Sequence, residues 1–282
     1  MWKSNWEESK INFRKWWKQE GLLIGMWGAP EKAGAHEFVP APGCAASIEE
    51  QYSNAEFRAA KNHYDLAHRD YPADCLPIAS TDIGPGSTAL FLGSQPRFSE
   101  GTVWFTPAIR QCEHPEELPP FRFDPANRWW NVTVRTIRAC ANQAKGNYLI
   151  GCPDLVENVD ILASLRECRQ VLMDMILRPD WVCEKVLEIN RVWFDVYGRI
   201  YESIKDEEGG SAFGAFRLWG PGKTAKLQCD ASAMFGPEMF ARFVVPALKE
   251  QCEWLDCSMY HLDGTQRSEE RRVGKECATG CR

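Results

Sequence analysis

No run of eighteen or more apolar residues occurs anywhere in the 282 residues, and the opening MWKSNWEESKINFRKWWKQE alternates charge with tryptophan. Neither a membrane span nor a secretory apolar core can be drawn there, so a cytoplasmic protein without membrane contact is expected. The twelve cysteines include no CxxC pair and lie scattered through a large chain, which argues for reduced, mostly buried thiols rather than a disulfide framework. Basic clusters are also missing outside the last sixteen residues, and the formal charge is -6, so no nucleic-acid surface is expected. No GxGxxG follows an apolar run, which removes the usual dinucleotide fingerprint.

What remains is ordinary globular composition, 44% hydrophobic and 26% charged. The spacing of Trp6, Ile11, Phe13, Trp16 and Trp17 predicts a helix over 4–20, and a Pro- and Gly-rich loop follows over 28–43. Ser47 opens a capping box, SIEE, ahead of a helical stretch. Apolar runs at 76–83, 148–150, 212–218, 225–229 and 257–260 read as short buried strands. Helices are expected between them, over 127–145, in pieces to Ile204, and over 237–254. Short strands separated by helices indicate α/β with a parallel sheet, either doubly wound or a (β/α)₈ barrel. The segment 101–125 reads as irregular, and Gly220-Pro-Gly-Lys223 as a turn rather than a phosphate loop.

In both architectures ligands bind beyond the carboxyl ends of the strands, so the polar residues that end each strand are the candidates. They are Asp82, Asp154, Asp230, and the pair His261 and Asp263. Four carboxylates with one histidine give acid and base capacity. Asp154 precedes a helix and could equally cap it. His261 and Asp263, two apart on a strand, share a face and form a candidate pair for zinc or another divalent metal. Cys257 lies about 13 Å from His261 by strand rise, too far to join them. Tyr148 and Arg217 are candidate substrate-binding residues; Arg217 and Arg97 are the cations within reach of the strand ends.

Three stretches resemble the uroporphyrinogen decarboxylase-like superfamily, which includes corrinoid-linked methyltransferases: DIGPGSTALFLG (82–93), CPDLVENVDILASLR (152–166), and CDASAMFGPEMFARFVVPALK (229–249) leading to SMYHLDG. The resemblance implies an α/β TIM (β/α)₈ barrel of which about the first five strands are present, over 71–266, behind an N-terminal helical and loop segment over 1–70. It further implies one-carbon transfer involving a corrinoid protein or a small-molecule substrate. Decarboxylation of a porphyrinogen-like or other carboxylate substrate, and a non-catalytic tetrapyrrole- or corrinoid-binding module, are the alternatives. Two departures stand out. No RQAGR-like strand signature is present, and His261-Leu262-Asp263 stands where the methyltransferase branch carries His-x-Cys. A carboxylate there makes a harder metal site than a thiolate.

From Arg267 the text becomes RSEERRVGKECATGCR, which resembles a translated sequencing adapter. Residues 267–282 are therefore expected to be non-native and the barrel truncated before them. This tail contributes +2, so the preceding residues carry -8.

Overall fold

The computed structural model describes residues 1–26 and 28–262. Helix α1 (Trp6–Trp17) is followed by a long loop, then α2 (Ile48–Ser53) and α3 (Ala55–Ala67). Strand β1 (Ile78–Ala79), the short helix α4 (Thr88–Phe91) and the hairpin β2 (Gln95–Ser99) and β3 (Thr102–Thr106) come next. Helix α5 (Arg128–Ala144) leads to β4 (Leu149–Cys152), and α6 (Asn158–Arg166), α7 (Cys168–Leu177) and α8 (Pro179–Ile204) lead to β5 (Ser211–Phe213) and β6 (Leu218–Gly220). Strand β7 (Thr224–Gln228), helices α9 (Pro237–Phe243) and α10 (Val245–Trp254), and β8 (Cys257–His261) complete the described chain.

The helix-linked strands pair in parallel, as α/β connections require. Strand β1 runs beside β4 (Ala79 opposite Ile150) and β4 beside β5 (Gly151 opposite Ala212). Strand β7 runs beside β8, from Thr224 opposite Cys257 to Gln228 opposite His261. Only β6, returning on β5, and the β2–β3 hairpin are antiparallel. Among the described residues the strands form sheets of four, two and two, with no closed barrel. The expectation of parallel α/β architecture therefore holds, whereas the barrel itself is not seen. No described helix is long and apolar enough to cross a membrane.

One large core joins α3, α5, α6, α8 and the strands, with Trp193, Tyr197, Ile161, Leu162 and Leu165 fully enclosed. Segment 1–70 contributes Ala29, Ala59 and Leu66 to it, and Phe13 of α1 packs on Trp219 in a second cluster with Leu76 and Ile78. Side-chain caps place several boundaries. Ser47 accepts from Glu50 N–H, and Asn127 accepts from the N–H groups of Trp129 and Trp130.

Three elements differ from the sequence expectation, each for a local reason. The strand expected over 76–83 shrinks to two residues: Pro77 has no N–H, and the Arg58 guanidinium takes the carbonyls of Ser80, Thr81 and Asp82 that would extend a ladder. The helix expected over 237–254 breaks at Val244, because Pro246 cannot donate to the carbonyl of Arg242 and its ring crowds it. The segment 101–125, expected to be irregular, begins with β3 of a five-residue-by-five-residue hairpin.

Strand β4 approaches its neighbours at Gly151, where an added Cβ would lie 2.9 Å from Ala79 O and 3.1 Å from Gly214 N. Both are backbone atoms that cannot swing away. Gly151→Ala is expected to cost roughly 1–3 kcal/mol in urea unfolding, the usual penalty for overpacking. An unchanged midpoint would mean that β4 is not held this tightly.

Candidate functional site

The carboxyl ends of β1, β4 and β7 converge on one continuous chain of polar contacts. Burial along β7 is complete, yet its sequence TAKLQ alternates, so Thr224, Lys226 and Gln228 share one face. Lys226 is 7% exposed, and an ammonium so enclosed requires a partner. Its Nζ donates to Asp154 Oδ2 at 2.6 Å and also to Gln228 Oε1. Gln228 Nε2 donates to Asp230 Oδ2 at 2.8 Å, and Gln228 Oε1 lies 3.2 Å from His261 Nδ1. On the other side Asp154 N–H donates to Asp82 Oδ1, whose second oxygen accepts from Ser80 Oγ at 3.3 Å. Asp82, Asp154, Lys226, Gln228, Asp230 and His261 thus form one network.

A small cleft, with room for about one water molecule, opens beside Asp154 and Lys226 of this network, and Asp82, Gln228, Asp230 and His261 are not among its lining residues. Asp154, Lys226 and Cys152 contribute polar atoms, and Trp193, Tyr197 and Phe213 contribute rings. Trp193 and Tyr197 stack at 5.2 Å and are each pinned by a backbone carbonyl, Val156 O at 3.1 Å and Thr224 O at 2.9 Å. Phe216 stands beside His261 at 4.9 Å and 5.9 Å from the Lys226 ammonium.

Burial, and next the adjacent Asp154 carboxylate, push the Asp82 carboxyl above its ordinary range, against hydrogen bonds that favour its ionised form. Burial likewise raises the Cys152 thiol well above normal, with Asp82 and Asp154 adding to the effect, so Cys152 is a protonated wall of the cleft and not a nucleophile. Behind β7, burial and then the charge of Asp160 push Glu157 from 4.5 to about 8. Glu157 caps α6 through Val159 N–H at 3.0 Å, and the Cys229 thiol lies beside its carboxyl.

Four of the residues expected from sequence, Asp82, Asp154, Asp230 and His261, are brought together. Asp154 is an ion-pair partner in the network rather than the cap of α6, a place Glu157 takes. Asp263 lies outside the described residues. Tyr148 sits just before β4, at the end of the strand opposite Cys152, packed against Trp2 and His63. Arg217 is in the turn between β5 and β6 with φ of 52°, not on a strand, and Arg97 is in the β2–β3 hairpin. Neither arginine joins the network. Sequence reasoning missed Lys226 and Gln228 by treating 225–229 as uniformly apolar; the signal was present in the polar alternation of a strand too short to waste positions. Arg58 was missed as well. Its guanidinium, buried on α3, holds the backbone that carries Asp82, donating to Asp82 O at 2.6 Å.

No set of three His, Cys, Asp or Glu side chains among the described residues could hold a metal ion.

The raised Glu157 carboxyl makes a signed prediction. The folded chain keeps a proton that the unfolded chain releases above about pH 4.5, so this group's stabilisation is complete below that pH. It is lost as pH rises toward about 8, at up to ~1.4 kcal/mol per pH unit. Glu157→Gln keeps the cap and removes the titration. Chemical unfolding across this range should find the variant comparable to the parent at the acid end and more stable at the alkaline end. Parallel curves would show that Glu157 is not held protonated.

No family model matches this sequence, and no curated protein does. Among solved structures, a methyltransferase from Methanosarcina mazei superposes with a TM-score of 0.59 at 11% identity, covering 91% of this chain and 70% of that one. The chain shares the fold of that protein.

Proposed function

We propose that this chain is an enzyme of one-carbon transfer, acting on a small molecule at the ends of β1, β4 and β7, with a corrinoid carried by a partner protein as methyl source or sink. The observation that carries the reading is the unbroken network from Asp82 through Asp154, Lys226 and Gln228 to Asp230 and His261 beside a ring-lined cleft. The shared fold with a methyltransferase supports it. So do the sequence stretches that resemble the uroporphyrinogen decarboxylase-like superfamily, whose complete barrel this chain is proposed to follow.

Transfer of a methyl group from X–CH₃ to Nu–H forms Nu–CH₃, breaks the X–C bond with its electron pair on X, and moves one proton from Nu to X. The site has groups for both ends of that proton transfer. His261, oriented through Nδ1 by Gln228, offers Nε2 as acceptor for the proton of Nu–H. Asp82, held protonated to a higher pH than an ordinary carboxyl, returns a proton to X where X leaves as an oxygen, nitrogen or sulfur anion; with a corrinoid as X, the proton of Nu–H would pass from His261 to solvent. Lys226 uses two of its three N–H donors on Asp154 and Gln228, and the third is available to an oxygen of the acceptor in the cleft. Trp193, Tyr197 and Phe213 line the cleft with apolar rings. A corrinoid carried by a partner protein would supply the electrophilic or nucleophilic partner for the methyl group. Pairing of His261 with Asp263 as metal ligands stays a proposal whose second member lies beyond the described residues, and no step here passes through a metal.

One observation favours a second reading. Lys226 is a cation lining the cleft, which a decarboxylase of small carboxylates would use to hold its substrate.

Methyl transfer from methylcobalamin to a panel of thiols, amines and phenols, followed by the corrinoid absorbance, tests the first reading, and carbon dioxide release from a panel of small carboxylates tests the second. His261→Ala should lower methyl-transfer turnover by about 10²-fold or more, the usual contribution of general acid–base catalysis, with cobalamin binding within about twofold of the parent. Equal loss of binding and turnover would leave a corrinoid-binding module instead of an enzyme.

A further inference from the structure

Asp230 is held at its side chain by Gln228, and its backbone begins a short 3-10 turn, residues 230–234, in which Ala231 and Ser232 are buried. What fixes that backbone is a carboxylate from another element. Asp160, in the first turn of α6, accepts from Asp230 N–H through Oδ2 at 2.7 Å and from Ala231 N–H through Oδ1 at 3.0 Å. Each oxygen takes one donor, so the carboxylate bridges two successive amides in a bidentate clamp. These amides open a helical turn and have no partner within it, and a charged acceptor is the strongest one available to them. The clamp spans 70 residues of sequence and ties the end of β7 to α6, whose own N-terminus is fastened back to β7 through Glu157 N–H on Gln228 O at 3.2 Å.

We propose that Asp160 is a positioning residue: its carboxylate holds the Asp230–Ala231 backbone and thereby sets where the Asp230 side chain stands in the strand-end network. The role assigned to that network rests on the one-carbon transfer reading, but the clamp itself does not. Because the acceptor is an ionised carboxylate, the clamp is released by protonation. Burial, opposed by the two amide hydrogen bonds, leaves Asp160 with its midpoint at about 6. The ionisable groups bearing on it are Asp230 and Lys226 from the end of β7, Glu157 at the start of α6, and the thiols of Cys229 and Cys168. Asp230 disfavours the ionised form and Lys226 favours it. Glu157 stays protonated through this range and contributes no opposing charge there.

Hydrogen exchange of the peptide spanning 229–234, read by mass spectrometry on the full chain and corrected for intrinsic rates, tests this without any turnover assay. In the parent, protection should fall on the order of tenfold as pH drops through about 6, the scale of a lost charge-assisted pair of hydrogen bonds. Asp160→Asn should show that lower protection already at neutral pH and no transition. A transition that persists in Asp160→Asn, or protection equal to the parent's at neutral pH, overturns the proposal. Should Asp160→Asn not fold, the parent's profile decides alone, and protection flat through pH 6 overturns it. Failure to find any turnover would sink the functional reading while exchange still judged the clamp.

Discussion

The buried ion pair between Lys226 and Asp154 is the contact on which the rest of the strand-end architecture depends. An ammonium enclosed to 7% exposure on an interior strand costs several kcal/mol in desolvation unless a carboxylate and further acceptors meet it. Asp154 supplies the charge and Gln228 the second acceptor, and both are then committed in direction. Gln228, with its oxygen turned to Lys226, must present its NH₂ to Asp230. Asp154, with its side chain turned to Lys226, presents its N–H to Asp82. One cation therefore orders four acidic or amide groups contributed by three strands that are far apart in sequence.

The same pair separates the behaviour of two neighbouring carboxyls. Asp154 has Lys226 against it, whereas Asp82 has burial and the Asp154 charge, opposed by the Arg58 guanidinium, whose hydrogen bonds go to backbone carbonyls rather than to the carboxylate. A second acidic layer behind β7, Glu157 and Asp160, is raised mainly by burial and holds backbone rather than facing the cleft. Exposure rises from these positioning carboxyls to His261 at the end of β8 and Asp230 just after β7.

Much of this was legible in the sequence, and the exceptions share a cause. Strand ends could be found from short apolar runs followed by Ser-Thr-Asp, Cys-Pro-Asp or Cys-Asp, which located Asp82, Asp154 and Asp230, and the polar end of the last run located His261. Helices with strong caps, such as α5 behind Asn127, emerged within a residue of expectation. What periodicity could not show was long-range capture of backbone: Arg58 removing the carbonyls of 80–82 from the sheet, and Asp160 taking the amides of 230 and 231, are contacts between residues 22 to 71 positions apart. Lys226 was hidden for a related reason. A lysine in a buried strand violates the hydrophobic pattern, and only the carboxylate 72 residues earlier explains its presence. Tyr148 and Arg217 were placed by proximity to apolar runs, without regard to which end of the strand each would occupy.

A double-mutant cycle on Lys226→Met and Asp154→Leu tests most directly whether one ion pair organises this site. Each single variant should lose about 3–5 kcal/mol in chemical unfolding, because each strands a buried charge, and the double variant should recover at least about 2 kcal/mol of the summed loss. Single losses below about 1 kcal/mol, or losses that add within ~0.5 kcal/mol, would show that Lys226 and Asp154 are independent and that the network is not built on them.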